Sequence, residues 1–265
     1  MSEPTDPIAP EIRADIEGRL RRIEGEEGVR TLLAIESGSR AWGFASPDSD
    51  YDVRFLYVRP REDYLALRPL RDVVERPIVD EIDLSGWDVR KALGLMLKNN
   101  AVVSEWIESP IRYRKSDPFI ARMAHLGDRF FDPLGYARHY ASLGLQTSQR
   151  WLRDGEPITI KKYFYALRPA MAIRCLRMDA ERRPPMRLQD LMARCELPSS
   201  LAQRIEELVA IKAKAREAGA SSGIPELDAF IADELGRAHE VPSRADPQGF
   251  EREANALFLE LVSGG

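Results

Sequence analysis

Asp50 and Asp52 lie two positions apart at the start of a stretch rich in aromatic and β-branched residues, 51–58, which is typical of a strand. Side chains at i and i+2 of a strand share one face, so both carboxylates should project together. Carboxylates so close repel each other unless a cation neutralises them. Hard oxygen ligands suit Mg²⁺ or Mn²⁺, which proteins commonly bind with a few carboxylates plus substrate phosphates. The pair therefore predicts a divalent-cation site.

A glycine-serine turn precedes this pair in the chain. Gly38 and Ser39 follow the apolar run Thr31–Ile35, which reads as a buried strand. Glycine lets the backbone approach a phosphate closely, and the amides of Ser39 and Arg40 could point at it from a helix start. Considered alone, neither feature indicates a functional site. A Gly-Ser turn usually has no role beyond reversing the chain, and two aspartates on a strand usually lie at a solvated edge. Together they predict a phosphate site beside a cation site.

The elements around these residues predict an α+β fold. A helix is expected over 9–25, and strands over Thr31–Ile35, Tyr51–Val58, Val73–Val74 and Ile78–Leu84, with a helix over 86–98. Strand patterns cease after about residue 115, and helices are expected over 117–127, 134–153, 160–180, 187–195, 199–218, 225–238 and 248–262. We expect a small mixed-sheet domain over 1–115 followed by an all-helical domain over 116–265, with the boundary between 110 and 135.

Composition excludes several classes of protein. The 265 residues include two isolated cysteines and three histidines, so a disulfide scaffold and a cysteine-ligated zinc site are excluded. No run approaches the ~18 apolar residues of a membrane helix. The acidic, proline-containing N-terminus lacks an apolar signal region. A cytoplasmic protein is expected.

Charge is unevenly distributed along the chain. The net charge of −4 is the sum of −5 over residues 1–137, +6 over 138–196 and −5 over 197–265. A basic centre between acidic flanks is where an anionic ligand is expected.

The full pattern resembles the signature of the DNA polymerase β-like nucleotidyltransferase superfamily. It comprises a hydrophobic strand, Gly-Ser, ten intervening residues and then Asp-hydrophobic-Asp-hydrophobic. The resemblance implies a polymerase β-like palm and a third carboxylate on a neighbouring strand. Asp83, between Ile82 and Leu84, is the favoured candidate. Glu81 would share its face and competes for the role, whereas Asp80 would face away.

Longer strings resemble one group in that superfamily, the RlaP family of predicted nucleotidyltransferases, which is named for an association with bacterial RNA repair. The resemblance extends from about residue 30 to at least 190. The strings that carry it are Gly38–Gly43 with Ser49–Arg54, Ile82–Asp88 with Lys91–Leu93, Glu105–Pro110, and Lys161–Pro169.

This resemblance implies a role for each matching residue. Asp50, Asp52 and Asp83 would be the catalytic metal ligands, and Gly38 and Ser39 would form the triphosphate turn with Arg40 beside it. The string containing Lys161, Lys162, Tyr165 and Arg168 would bind nucleotide. On a helix, Lys161, Tyr165 and Arg168 share a face at i, i+4 and i+7. Such a face is more often simply solvated, but the +6 charge of the segment and the match to the family favour nucleotide binding here.

The expected activity is metal-dependent transfer of an NMP from an NTP to an acceptor hydroxyl, with release of pyrophosphate. An RNA or tRNA end engaged in RNA repair is the favoured acceptor. A small molecule, as in antibiotic-modifying members of the superfamily, and a protein hydroxyl, as in its toxin–antitoxin branch, are alternatives. A different class of function, a non-catalytic nucleotide-binding module, would be expected to lose an acidic ligand. No membrane partner is expected.

Overall fold

The fold is built on a four-stranded mixed sheet. The computed structural model describes residues 8–154, 157–214 and 223–264. The strands are β1 (Arg30–Glu36), β2 (Tyr51–Val58), β3 (Val73–Glu75) and β4 (Ile82–Asp88), in the spatial order β1-β2-β4-β3. The β2 and β4 strands pair in parallel, and both outer strands run antiparallel to their neighbours. The expected α+β class is confirmed.

One strand was predicted in the wrong place. The expected strand Ile78–Leu84 is instead β4, which begins at Ile82 and ends at Asp88. Asp80 and Glu81 have φ angles of 54° and 62°, left-handed values that turn the chain sharply before the strand. Because the β4 strand takes residues 82–88, the following helix starts at residue 89, three positions later than expected.

Helices before residue 115 surround the sheet. They are α1 (Pro10–Glu27), α2 (Gly38–Trp42), α3 (Arg61–Leu65), α4 (Val89–Leu97) and α5 (Ala101–Glu108). The sequence reading did not identify α3 or α5 as helices. The α5 helix has only eight residues, and α3 has five, which are too few for a helical periodicity to be recognised in the sequence.

Helices after residue 115 divide between two cores. They are α6 (Pro118–Arg129), α7 (Pro133–Asp154), α8 (Ile160–Met178), α9 (Leu188–Arg194), α10 (Ser199–Lys214), α11 (Pro225–Gly236) and α12 (Pro247–Ser263), with a 3₁₀ turn at Ala238–Glu240. The α6 and α12 helices share one core with α4, α5 and the sheet, whereas α7 to α11 form a separate core around α8. The 115/116 boundary stays a prediction, and the last four residues of the expected helix 199–218 lie outside the described residues.

The central helix of the second core is α8. Thr159 caps it by accepting a hydrogen bond from the Lys162 amide, and most of its residues from Ile160 onward are buried. Burial on nearly all sides makes α8 the element against which the other helices of this core pack. Among the described residues, no helix combines the length and apolarity that crossing a bilayer requires.

Candidate active site

Asp52 and Asp83 lie side by side on neighbouring strands. They are direct partners in the parallel pairing of β2 with β4, so their side chains leave the same face of the sheet. Burial raises the pKa of Asp52, the guanidinium of Arg54 opposes that shift, and the negative charges of Asp83 and Asp50 reinforce it. The site is thus a concentration of negative charge that is partly withdrawn from water.

Arg54 lies between these two carboxylates. It follows Asp52 by two positions on β2 and shares its face. Its Nη2 donates to Asp52 Oδ1 at 3.1 Å and to Asp83 Oδ2 at 2.8 Å. Its Nη1 donates to the carbonyls of Val53 and Asp83, at 3.1 and 3.0 Å. The sequence reading assigned Arg54 no role, although the i, i+2 alternation that paired the aspartates also places Arg54 beside Asp52.

The glycine turn presses directly against Asp52. Gly38 has a φ angle of 58°, and a Cβ placed there would lie 1.8 Å from Asp52 Oδ2. The Ser37 amide also donates to the Asp52 carbonyl at 2.8 Å. Only glycine therefore permits both the backbone conformation and the close approach. The predicted triphosphate turn and the predicted metal ligand are in contact.

Asp50 immediately precedes β2 and is exposed. Arg40 fixes the backbone there, since its Nη2 donates to the Ser49 carbonyl and its Nε to the Asp50 carbonyl, and its guanidinium lies 4.0 Å from the centre of the Tyr51 ring. These contacts tie α2 to the segment that carries Asp50. The role of Arg40 in nucleotide binding stays a prediction, whereas its role in holding this segment is visible in the structure.

The three acidic residues considered for the third carboxylate occupy different surroundings. Asp83 is in β4 beside Asp52, whereas Glu81 is exposed in the left-handed turn before the strand. The alternation that would place Glu81 and Asp83 on one face does not extend past Ile82. Asp80 pairs with Arg19 of α1 at 2.9 Å. Of the three, only Asp83 adjoins Asp52.

A second buried carboxylate supports Asp52 from behind. Glu36, at the end of β1, is fully buried and accepts a hydrogen bond from the Asp52 amide at 3.0 Å. The hydroxyl of Tyr113 donates to its other oxygen. Burial raises the pKa of Glu36 to about 7. The sequence signal was a charged residue ending an apolar strand, and the sequence reading did not assign it a role.

The structure brings two of the four helical candidates to the carboxylates. Tyr165 is half-buried, and burial together with the charge of Asp52 raises its pKa. Lys161 is exposed, its Nζ lies 6.0 Å from the centre of the Tyr165 ring, and its charge lowers the pKa of Asp52. Lys162, the next residue, is exposed, and its side chain makes no hydrogen bond, ion pair or ring contact with the described residues. Lys161 and Tyr165 are therefore the α8 candidates whose electrostatic interactions reach Asp52.

Arg168, on the same helix, is used differently. Its side chain is 7 % exposed, and it pairs with Glu105 of α5 at 2.9 Å. Its Nε and Nη2 both donate to the Met186 carbonyl. The guanidinium also lies 4.2 Å from the centre of the Trp42 ring. Arg168 links α8 to α5 and α2, and its proposed contact with nucleotide stays a prediction.

Helices of the core around α8 contact the loop between α2 and β2. Lys212 of α10 is buried, and its Nζ donates to the Phe44 carbonyl at 2.9 Å and to Ser46 Oγ at 3.3 Å. Gln189 of α9 donates to the Gly43 carbonyl at 2.6 Å. Phe44 stacks on Phe164 of α8, with 4.6 Å between ring centres. Contacts from three helices thus fix the loop that leads to Asp50.

Many of the arginines in the basic segment 138–196 form ion pairs with acidic residues. Glu234, only 1 % exposed at its side chain, pairs with Arg174 and Arg177 at 2.9 and 2.6 Å. Six arginines of the segment form ion pairs, namely Arg168, Arg174, Arg177, Arg182, Arg183 and Arg194. Among the side chains that the structure describes, the segment's cations without an ion pair are Arg138, Lys161, Lys162 and Arg187. Ion pairs thus engage six of the ten cations in the segment whose side chains the structure describes.

The carboxylates suit a divalent cation whose coordination shell is completed by the substrate. In the described part of the chain, no three histidine, cysteine or carboxylate side chains converge as a preformed cage. Asp52 and Asp83 nevertheless offer adjacent hard oxygens, and Asp52 Oδ2 faces the glycine turn. Mg²⁺ is usually bound by one or two carboxylates together with phosphates and water. The donor set fits such a site.

Comparison with known families agrees with this geometry. The sequence profile of the family described as "RlaP: RNA repair pathway DNA polymerase beta family" matches residues 12–260. The chain belongs to the RlaP family. This is a polymerase β-type nucleotidyltransferase family, and the match covers the sheet and the helices on both sides of residue 115.

One curated relative and one solved structure extend the comparison. The uncharacterized protein YcgL of Bacillus subtilis (strain 168) is 37 % identical over 245 residues, which cover 92 % of this chain and 94 % of the relative. The crystal structure of a nucleotidyltransferase-like protein from Exiguobacterium sibiricum 255-15 aligns with 94 % of this chain and 80 % of its own, at 11 % identity. Its TM-score is 0.32, below the value that indicates a shared fold.

Proposed function

We propose that this RlaP-family protein transfers a nucleotidyl group from an NTP to an acceptor hydroxyl and releases pyrophosphate. The observation that carries the proposal is the contact of the Gly38 turn with Asp52, which in turn adjoins Asp83 in register. A phosphate site and a pair of cation-binding carboxylates at one point are what transfer at an α-phosphate requires.

Each residue has a role in this proposal. The Gly38 turn lies directly against the Asp52 carboxylate, so a triphosphate bound at the turn would also reach a cation held by Asp52. Asp50, Asp52 and Asp83 supply oxygen ligands. When bound, Mg²⁺ or Mn²⁺ would lower the pKa of the acceptor hydroxyl and offset the charge of the leaving pyrophosphate. Lys161, exposed at the edge of the site, offsets negative charge on the phosphates.

A pair of matched variants tests the activity. We expect Mg²⁺-dependent pyrophosphate release from NTPs with the wild-type protein, and a loss of roughly 100-fold or more in Asp83→Asn, because ligand removal should exceed the 10–100-fold typical of outer-shell changes. Asp80→Asn is the control, since this nearby carboxylate pairs with Arg19 instead. Undiminished release by Asp83→Asn would sink the assignment. Nucleotide binding without turnover, across metals and acceptors, would support a non-catalytic module.

For the acceptor, we propose an RNA or tRNA end. The description of the family, which names an RNA repair pathway, supports this choice. The ion pairs of the basic segment favour a second candidate, a small-molecule or protein hydroxyl, because six of the segment's ten described cations already have an acidic partner.

Salt dependence separates these acceptors. Incubation with Mg²⁺, labelled NTPs and total RNA shows whether RNA takes up label. Binding across several phosphates weakens steeply with salt, whereas a small acceptor gives a shallow slope. Labelled RNA would support the first candidate. Absence of labelled RNA, with a labelled small molecule or protein instead, would support the second.

A further inference from the structure

The geometry points to Arg54 as a positioning residue that orients the carboxylates of Asp52 and Asp83 and stays in place when a cation binds. This inference rests on the proposed function, because it concerns the same carboxylates. It adds a role for a residue that is not a metal ligand and cannot become one.

The main chain anchors Arg54 independently of the carboxylates. Its Nη1 donates to the carbonyls of Val53 and Asp83, at 3.1 and 3.0 Å. Its side chain is 19 % exposed, against 26 % for Asp52 and 29 % for Asp83, so the Arg54 side chain is the least exposed of the three. Because two main-chain carbonyls hold the guanidinium, we expect it to stay in place when a cation binds to the carboxylates.

Arg54 engages only one oxygen of each carboxylate. Its Nη2 donates to Asp52 Oδ1 and Asp83 Oδ2. Among the residues that the structure describes, Asp52 Oδ2 and Asp83 Oδ1 have no hydrogen-bond donor. Asp52 Oδ2 is the atom that faces Gly38. By holding one oxygen of each group, Arg54 turns the other oxygen of Asp52 toward the phosphate turn.

The charges are consistent with this arrangement. Asp52 and Asp83 are adjacent and would repel each other without a nearby positive charge. Arg54 reduces their summed charge from −2 to −1, and Asp50 restores it to −2, the charge that a divalent cation neutralises. A planar guanidinium can bridge two carboxylates and two carbonyls at once, whereas an ammonium cannot reproduce that fork.

The opposite role is a clear alternative. If the guanidinium instead occupied the place of the cation and had to leave, its removal would free two carboxylates and tighten cation binding. The two roles therefore predict opposite signs for the same measurement.

Titration with Mn²⁺ alone, followed by the electron paramagnetic resonance signal of the free ion, decides between them. We expect Mn²⁺ affinity to fall about 10–100-fold in Arg54→Met, the range for loss of an outer-shell partner, and to fall also in Arg54→Lys, which keeps the charge without the fork. Unchanged or tighter Mn²⁺ binding in the variants would overturn the inference.

Arg76→Met is the matched control. Arg76 also bridges two carboxylates, those of Glu26 and Glu27, but in a separate cluster on α1. It should leave Mn²⁺ affinity unchanged. Thermal unfolding establishes that each variant folds, and Arg54→Lys carries the test if Arg54→Met does not.

Different results would contradict the role of Arg54 and the proposed function. Wild-type protein that neither binds Mn²⁺ nor releases pyrophosphate contradicts both. Wild-type protein that does both, with Arg54 variants of equal Mn²⁺ affinity, contradicts the positioning role alone. A positioning role also predicts that kcat for pyrophosphate release falls more than KM for the NTP rises, since Arg54 acts through the carboxylates.

Discussion

Arg168 Nη2 lies 2.9 Å from Glu105 Oε1, and both side chains are buried. Glu105 also accepts the hydroxyl hydrogen of Tyr140 at 3.0 Å, and the Met186 carbonyl accepts from Arg168. The ion pair is thus satisfied on both sides. It joins the core around α8 to the core beneath the sheet, and it turns the Arg168 guanidinium away from solvent.

Arg168→Met should destabilise the protein by about 3–5 kcal/mol, because removing one partner leaves a buried charge uncompensated. Urea unfolding measures the change. Arg182→Met is the control, since its pair with Asp179 is largely exposed and such pairs contribute about 0–1 kcal/mol. A large rise in KM for the NTP with unchanged stability would instead support the nucleotide-binding role that the sequence predicts for Arg168.

Gly38→Ala should abolish most activity. Its Cβ would lie 1.8 Å from Asp52 Oδ2 at a φ of 58°, so the carboxylate must move, and a displacement of about 1 Å can cost about 100-fold in rate. Pyrophosphate release measures the loss. Gly25→Ala, with no atom within 4 Å of its Cβ in the interior of α1, should retain activity and gain up to about 1 kcal/mol of stability. Equal activity in the two variants contradicts the contact.

Lys161→Met should raise KM for the NTP by about 10-fold or more, because contacts to charged groups contribute about 1.5–3 kcal/mol. Lys162→Met, one position along the helix, should change KM by less than about 3-fold, since Lys161 rather than Lys162 is among the charges that act on Asp52. Steady-state kinetics on both variants compares the two lysines. Equal effects would show that both contact the phosphates.

Glu36→Gln should change how stability depends on pH. The pKa of Glu36 is raised to about 7 in the folded protein, so its contribution to stability is complete below the unfolded value of 4.5 and is lost as pH rises through 7. Between pH 4.5 and 8, wild type should lose up to about 3 kcal/mol relative to Glu36→Gln. Urea unfolding of both proteins across this range measures the difference. A difference that stays constant with pH would refute the raised pKa.

Much of the fold was predictable from periodicity. Helix α8 and strand β2 begin where the sequence predicts, because a capping threonine and an aromatic, β-branched run are local signals. The β4 strand was displaced by four residues, because Ile78 and Val79 resemble a strand locally. The left-handed turn at Asp80 and Glu81 takes them out of the sheet.

Local sequence also determined the composition of the site, namely a glycine turn, paired aspartates and a helix bearing Lys161 and Tyr165. Only the tertiary structure decided which groups meet. Parallel pairing of β2 with β4 put Asp83 rather than Glu81 beside Asp52, and the ion pair with Glu105 of α5 placed Arg168 in the core. Residue type and spacing determine what a side chain can do, but its charge is used by whichever partner the fold brings within hydrogen-bonding distance.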